Sequence, residues 1–477
     1  MTTMTDTARP AGDTERPAGR RAPMPPAFRQ LLLNTLGTGV TSSFVWFALT
    51  FWVFLETRSV VATGVIGGAF SISSAVLGPF FGTYVDRHRK HQALVLTSMI
   101  STACFAMATA VFVTVDAEQL LRLTSPWFWA LIATTLLGSV AGQMRGIALS
   151  TCVTLLVPED RRDRANGMVG TITGLSFAIT SVFSGLVIGQ LGMGWALYGS
   201  LALTVAALVH IRTISFDEPE PEAVEEGAPR RPAVDVRGAL EAIRGVPGLG
   251  LLIGLAACNN LLGGVFMALM DAYGLSLVSV EAWGFLWGFI SLGMIAGGVF
   301  VSRRGLGRNP VRVVVVGNLV NWTVCTLFPI RSSVVLLTVG MLVWLSLMPA
   351  IEAAEQTVLQ RAIPYDKQGR VFGFAQLVEN AAAPLTAFLM APLAETVFMP
   401  LMTDGAGADA IGGWYGTGPD RGLGLMFTLA GLIGVVVTVA ALLSKPYRRL
   451  SESTSQDPEA ADSGAVADAI VDAPTMS

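Results

Sequence analysis

Long apolar runs, each closed by a short polar or Gly/Pro-bearing break, dominate this chain. A helix needs roughly 20 mostly apolar residues to cross a hydrocarbon layer about 30 Å thick. Twelve runs reach that length, near 30-55, 60-84, 92-115, 126-157, 166-190, 194-213, 249-271, 280-302, 311-328, 333-358, 371-395 and 422-444. Glycine recurs inside them, as in "GVIGGAF" and "GMIAGGVF", where small residues let helices approach closely in a solvent that offers no hydrophobic drive between them. The longest interior break, residues 215-245, is acidic and Pro-interrupted in its first half and divides the runs six and six. Its second half, Val234 to Ile243, predicts a short amphipathic helix lying on the membrane surface.

The composition fits lipid as the solvent. Apolar side chains make up 52% of the 477 residues, and the mean hydropathy is +0.59, more apolar surface than one soluble core can hide. A net charge of −3 gives no ground for nucleic acid as a partner. The four cysteines lie singly inside apolar runs and lack the paired spacing of a zinc site or disulfide framework, so neither metal nor cofactor is expected. Residues 1-27 hold no apolar core followed by a cleavage site, and predict a disordered tail rather than a signal peptide.

Where the charge falls is more informative than its sum. With both termini placed in the cytoplasm, 26 of the 31 basic residues lie on that side, four (Arg58, Arg122, Arg331, Arg421) on the far side, and Arg145 inside a span. Short loops that stay inside carry this excess. Trp127, Trp129, Trp195, Trp283 and Trp414 collect at the far-side ends, as an interfacial belt would.

The two sets of six runs are related. "PEDRRDRANG" and "PYDKQGRVFG" align at an offset of 206 after spans 4 and 10, and "GTYVDR" aligns with "GGVFVSRR" at 216 after spans 2 and 8, pairing Gly82 with Gly298 and Arg87 with Arg303. Two matches at corresponding places point to duplication.

The run "GTYVDRHRK", with Gly82, Asp86 and Arg87 followed by more basic residues between spans 2 and 3, resembles the cytoplasmic loop motif of the major facilitator superfamily. The likeness extends over residues 30 to 445, and the loops after spans 4 and 10 resemble its exporter branch of macrolide-efflux and enterobactin-exporter-like permeases. It implies an all-α membrane protein of twelve transmembrane helices in two pseudo-symmetric six-helix bundles. It also implies that Asp86 meets the N-terminal end of span 11, and that Gly82, Asp86 and Arg87, with Arg164 and Arg370, form a cytoplasmic gate. Three departures stand out: Arg89 occupies the place of a usual glycine, Ser302 that of the second aspartate, and span 5 lacks the Gly-Pro pair common in exporters.

Ionisable side chains at membrane depth cost at least about 2.5 to 3.5 kcal/mol each on insertion scales. Arg145 in span 4 and Glu352 in span 10 stand at nearly matching depth under the duplication, and Glu379 in span 11 is as deep, ~13 Å from a loop end. Glu355 shares a face with Glu352, nearer the cytoplasm. The sharper reading is that Glu352, assisted by Glu379, exchanges a proton while Arg145 tunes it or meets an anionic group on the substrate. A static Arg145-Glu352 pair and simple cytoplasmic solvation stand beside it. Asn259 in span 7 is read as a helix-to-helix hydrogen bond or as a substrate contact.

The absence of a P-loop, H-E-x-x-H, G-x-S-x-G or large extramembrane domain argues against a membrane enzyme. The far-side stretch 396-421 predicts a flexible cap. The expected protein is a monomeric, multi-pass transporter of the cell (inner) membrane, with lipid, a small-molecule substrate and protons as partners: proton-coupled export of a hydrophobic or amphipathic compound by alternating access. The alternatives are an importer or uniporter of the same fold, or a receptor. Its expected organisation is tail 1-27, bundle 28-213, linker 214-247, bundle 248-445 and tail 446-477.

Overall fold

The computed structural model describes residues 23-57, 60-219 and 235-454. Twelve long helices are found among them: α1 (Pro26–Thr57), α2 (Val60–Arg87), α3 (Lys90–Thr114), α4 (Pro126–Leu156), α5 (Arg162–Gln190), α6 (Met193–Thr213), α7 (Leu249–Leu277), α8 (Val280–Arg304), α9 (Pro310–Leu327), α10 (Val334–Ala362), α11 (Gln368–Leu393) and α12 (Pro419–Leu443). Ten have a described stretch long and apolar enough to cross a membrane; α5 and α11 complete the set by length. Polar residues at the breaks start the helices: Ser125, Ser279, Asn309 and Ser333 accept hydrogen bonds from first-turn amides of α4, α8, α9 and α10. Pro126 and Pro310 follow at the first helical position, where a missing N–H costs nothing.

The pairings repeat six helices on. In the first half α1 packs on α5 and α6, and α3 on α4 and α6; in the second, α7 packs on α11 and α12, and α9 on α10 and α12. The heaviest packing between halves, α2 on α11 and α5 on α8, is itself such a pair. The offsets read in the loops are thus present in three dimensions.

The loops after α2, α4, α8 and α10, the linker and both described chain ends gather at one end of the molecule, called the basic end below. One apolar cluster joins the halves there, with Val85, Leu94 and Ile147 of the first against Val358, Leu359 and Phe372 of the second. Toward the opposite end each half keeps its own cluster, one around Trp52, Phe128 and Leu131 and the other around Tyr273, Trp322 and Phe427. The halves are therefore closed at the basic end and packed separately beyond it.

The amphipathic linker helix forms as Val236–Gly245, with Ala239 and Ile243 buried. Residues 220-234 of the linker, and the tails 1-22 and 455-477, lie outside the described residues. The tail expected from residue 446 is corrected over its first nine residues, because Lys445–Thr454 is a helix with Leu450 buried, and Asn309 donates to its Ser451. The flexible cap is corrected too: a turn of π-helix at Ala394–Phe398 leads into helices Met399–Thr403 and Ala406–Tyr415. Arg421, counted among the far-side cations, is 2% exposed. It donates to the carbonyls of Tyr415 (2.8 Å), Pro329 (2.6 Å) and Ile330 (3.0 Å) and lies over the Tyr415 ring. A guanidinium that satisfies several carbonyls at once holds such a segment in place. Of the five tryptophans of the expected belt, Trp127, Trp129, Trp195 and Trp414 are exposed and Trp283 is buried, its indole N–H donating to Asp271 at 2.9 Å.

Candidate functional site

At the basic end, α2 and α11 cross with almost nothing between them. A Cβ added at Gly82 would collide with the Gly369 carbonyl oxygen, so only glycine permits this approach. The crossing brings Asp86, whose side chain is 1% exposed, onto the first turn of α11. It accepts from the amides of Gly369 (2.6 Å) and Arg370 (2.9 Å) and from Arg370 Nε (2.9 Å). A carboxylate at a helix N-terminus meets unpaired N–H groups and the positive end of the dipole. The expected partnership of Asp86 with span 11 is what the structure shows, with Gly82 as its pivot, Arg370 as its cation and Arg87 ending α2 beside it.

Two further carboxylates at this end had no signal in the sequence. Arg370 Nη1 donates to Asp235 of the linker at 2.6 Å, Asp235 caps the linker helix through the Gly238 amide at 2.8 Å, and its own N–H donates to Thr83 of α2 at 3.2 Å. Glu218, before the undescribed part of the linker, accepts from the Lys90 and His91 amides that open α3. Lys90 lies over the Tyr365 ring, 4.7 Å from its centroid, and burial, followed by the Glu218 carboxylate, pushes the Tyr365 phenol up. Both described ends of the linker are thus tied to the closed basic end. Either contact could have been guessed only from an acidic residue near a helix start, a pattern too common to single out.

The second copy closes differently. With Ser302 at the aspartate position, the carboxylate comes from the other helix: Asp163, at the start of α5, accepts from the Leu306 amide just past α8 at 2.8 Å. Gly305 there adopts φ +74° beside Arg164. Neutral groups add to the closure: Asn166 donates to Thr357 and Gln360 at 2.9 Å each, and Gln360 donates to the Ser150 carbonyl at 2.9 Å. Arg162 binds the Thr154 and Gln360 carbonyls, which joins α4 and α10.

Deeper, Glu352, Glu355 and Glu379 meet where α10 faces α11. Glu355 lies beside Glu379, and Glu352 is close enough for its charge to act on both. Glu352 is accessible although protein surrounds it, as a residue lining a cleft would be and one facing lipid would not. Among the described residues no Lys or Arg pairs with any of the three, and no group of His, Cys, Asp and Glu could hold a metal ion.

Arg145 is not with them. The static pair with Glu352 is not formed: Arg145 Nη1 donates to Asn34 of α1 at 2.7 Å and Nη2 to Ser98 of α3, both in its own half. Duplication matched depth, and depth leaves open which way around its helix a side chain points. Asn259 accepts from the Trp322 indole N–H at 2.8 Å, a bond from α7 to α9.

Comparison with known proteins agrees with this geometry. The model of the Major Facilitator Superfamily matches residues 31-387. Macrolide efflux protein A of Streptococcus pyogenes is 20% identical over 372 residues, 75% of this chain and 87% of that protein. A bacterial homologue of the iron transporter ferroportin, solved in an outward-facing state, shares the fold at a TM-score of 0.65 and 15% identity, over 88% of this chain and 100% of its own. The proton:xylose symporter XylE does so at 0.60 and 11%, over 87% of this chain and 94% of its own. With twelve helices in two matched sets, a glycine-aspartate contact between them and a family match over most of its length, this chain is a multi-pass membrane transporter that belongs to the Major Facilitator Superfamily.

Proposed function

We propose that the protein exports a small hydrophobic or amphipathic compound by alternating access, driven by protons entering the cell, and that it works as a monomer in the cell membrane with both termini cytoplasmic. One observation carries the coupling: three carboxyl groups meet without a cation, one of them open to the cleft. Neighbouring carboxyls away from water disfavour being charged together, and opening or closing the cleft changes how readily a proton leaves them. One proton delivers about 2.3 kcal/mol per 100 mV of membrane potential, enough to bias a conformational equilibrium tenfold or more. Export is supported by the likeness to macrolide efflux protein A. The basic-residue partition supports the orientation, which makes the basic end cytoplasmic and this structure closed toward the cytoplasm.

Asp86, Gly82, Arg87, Arg164 and Arg370 act as gate residues in this scheme, and Glu352, Glu355 and Glu379 as the proton site. Import is the second reading, favoured by the fold shared with a proton:xylose symporter. Fluorescein, a small amphipathic dye, followed in inverted membrane vesicles tests both. Uptake into the vesicles that collapses with an uncoupler, and falls at least about tenfold in Glu352→Gln, supports proton-driven export. Uptake indifferent to the uncoupler or to Glu352→Gln would falsify the coupling.

A further inference from the structure

A cavity of about 330 Å³ lies within the first half, between α1, α3 and α4. Hydroxyl groups of Thr38, Ser42, Ser101 and Ser139 line it, Trp46 and Phe70 form one apolar wall with ring centroids 4.6 Å apart, and Arg145 is part of its surface. Arg145 is 4% exposed. Its two hydrogen-bond partners, Asn34 and Ser98, are neutral. No described carboxylate pairs with it.

The charge serves no purpose that the fold reveals. A glutamine could bridge neutral acceptors on α1 and α3 as well, without the cost of taking a guanidinium out of water. Asn34 is itself fixed from behind, its amide donating to the Ala207 carbonyl at 2.9 Å and lying 3.3 Å from His210 Nδ1. That leaves its oxygen turned to Arg145 and holds the guanidinium in one orientation. Two of the five N–H groups are used in these bonds, and a planar fork with donors to spare suits a second oxyanion. Gly146, next in sequence, lines the same cavity and is exposed, and Gln376 of α11 reaches toward it. The cavity therefore borders the interface between the halves. Its volume is at the small end for ligand pockets, room for one end of a substrate whose remainder extends into the cleft.

We propose that this cavity is an anion subsite: Arg145 receives a carboxylate borne on an aromatic body that packs against Trp46 and Phe70, so the transported class is amphipathic organic anions. The assignment rests on the reading of the cleft as a substrate path and adds the charge of the substrate, which the carboxyl cluster does not specify.

Matched pairs of opposite charge test it: fluorescein against rhodamine 123, and 1-naphthoate against 1-naphthylmethylamine. Binding is measured on the detergent-purified chain by fluorescence or thermal shift, and transport of the dyes in proteoliposomes. The anion of each pair binds more tightly, and Arg145→Gln weakens fluorescein about tenfold or more while rhodamine 123 is unaffected and Arg145→Lys recovers part of the loss. Ser42→Asp, which leaves Arg145 in place and sets a carboxylate into the cavity, removes the preference and is the arm to read should Arg145→Gln not fold. A wild-type chain without preference for the anion of either pair, or an Arg145→Gln chain that binds fluorescein normally, overturns the proposal. Proton dependence is read on the same vesicles: anion preference lost with proton dependence intact sinks this inference alone, and the reverse sinks the coupling alone.

Discussion

The two crossings that close the basic end come from one ancestral arrangement, yet they hold by different chemistry. In α2 on α11 the glycine contact is locked by charge: Asp86 on the α11 N-terminus, Arg370 on Asp86, and Asp235 of the linker on Arg370. In α8 on α5 glycine contact persists, Gly298 against Thr171 and Gly167 against Ser302, but the carboxylate has changed helix and binds only backbone amides. Close approach is common to both, and at the first it is joined by the Asp86–Arg370 ion pair. The first crossing therefore depends more on single charged side chains, since a buried ion pair is sensitive to loss of either partner while backbone packing is not.

The largest expected effect falls on what the crossings share. Gly82→Val and Gly298→Val each force a side chain into the facing backbone, and transport drops to near background in both, measured in the vesicle assay with gel filtration as the check on folding. A tolerant Gly298→Val would show that only the first crossing closes. Next comes the charge. Arg370→Ala leaves Asp86 buried without its cation, a loss of about 3 to 5 kcal/mol for such pairs, seen as a lower melting temperature and slower transport. Arg164→Ala, at the matching position of the second crossing, lowers both by less, because no carboxylate is left buried without its cation; equal effects of the two would end the distinction drawn here. The smallest effect is at Asp235→Asn. Asp235 and Arg370 are about one-fifth exposed as side chains, so the loss is about 1 kcal/mol, read as a modest acceleration of cysteine labelling at position 83 from the cytoplasmic side. No acceleration would make the linker a passenger.

The carboxyl cluster and Arg145 teach the complementary lesson. All four residues were visible as charges at membrane depth, and the i, i+3 spacing put Glu352 and Glu355 on one face. Pairing α10 with α11 then brought Glu379 to them, whereas Arg145 turned into its own half. Glu218, Asp235, Asp163 and Arg162 carry no signal in the sequence because polar residues at loop ends are ordinary; only the fold shows that they meet the opposite half or the α2–α11 crossing.

By itself the sequence determined what depends on position along one axis: twelve spans set by the thickness of the bilayer, the gathering of Lys and Arg at one end, the repeat by its two offsets, and the depth of the buried charges along their helices. Tertiary structure alone decided what depends on rotation about a helix and on which helices touch: Arg145 away from Glu352, Arg421 buried under a helical far-side segment, and the linker fastened to the gate. A helix in lipid satisfies its own backbone, so its length is legible locally. The facing of its polar side chains is settled by neighbours that no local pattern names.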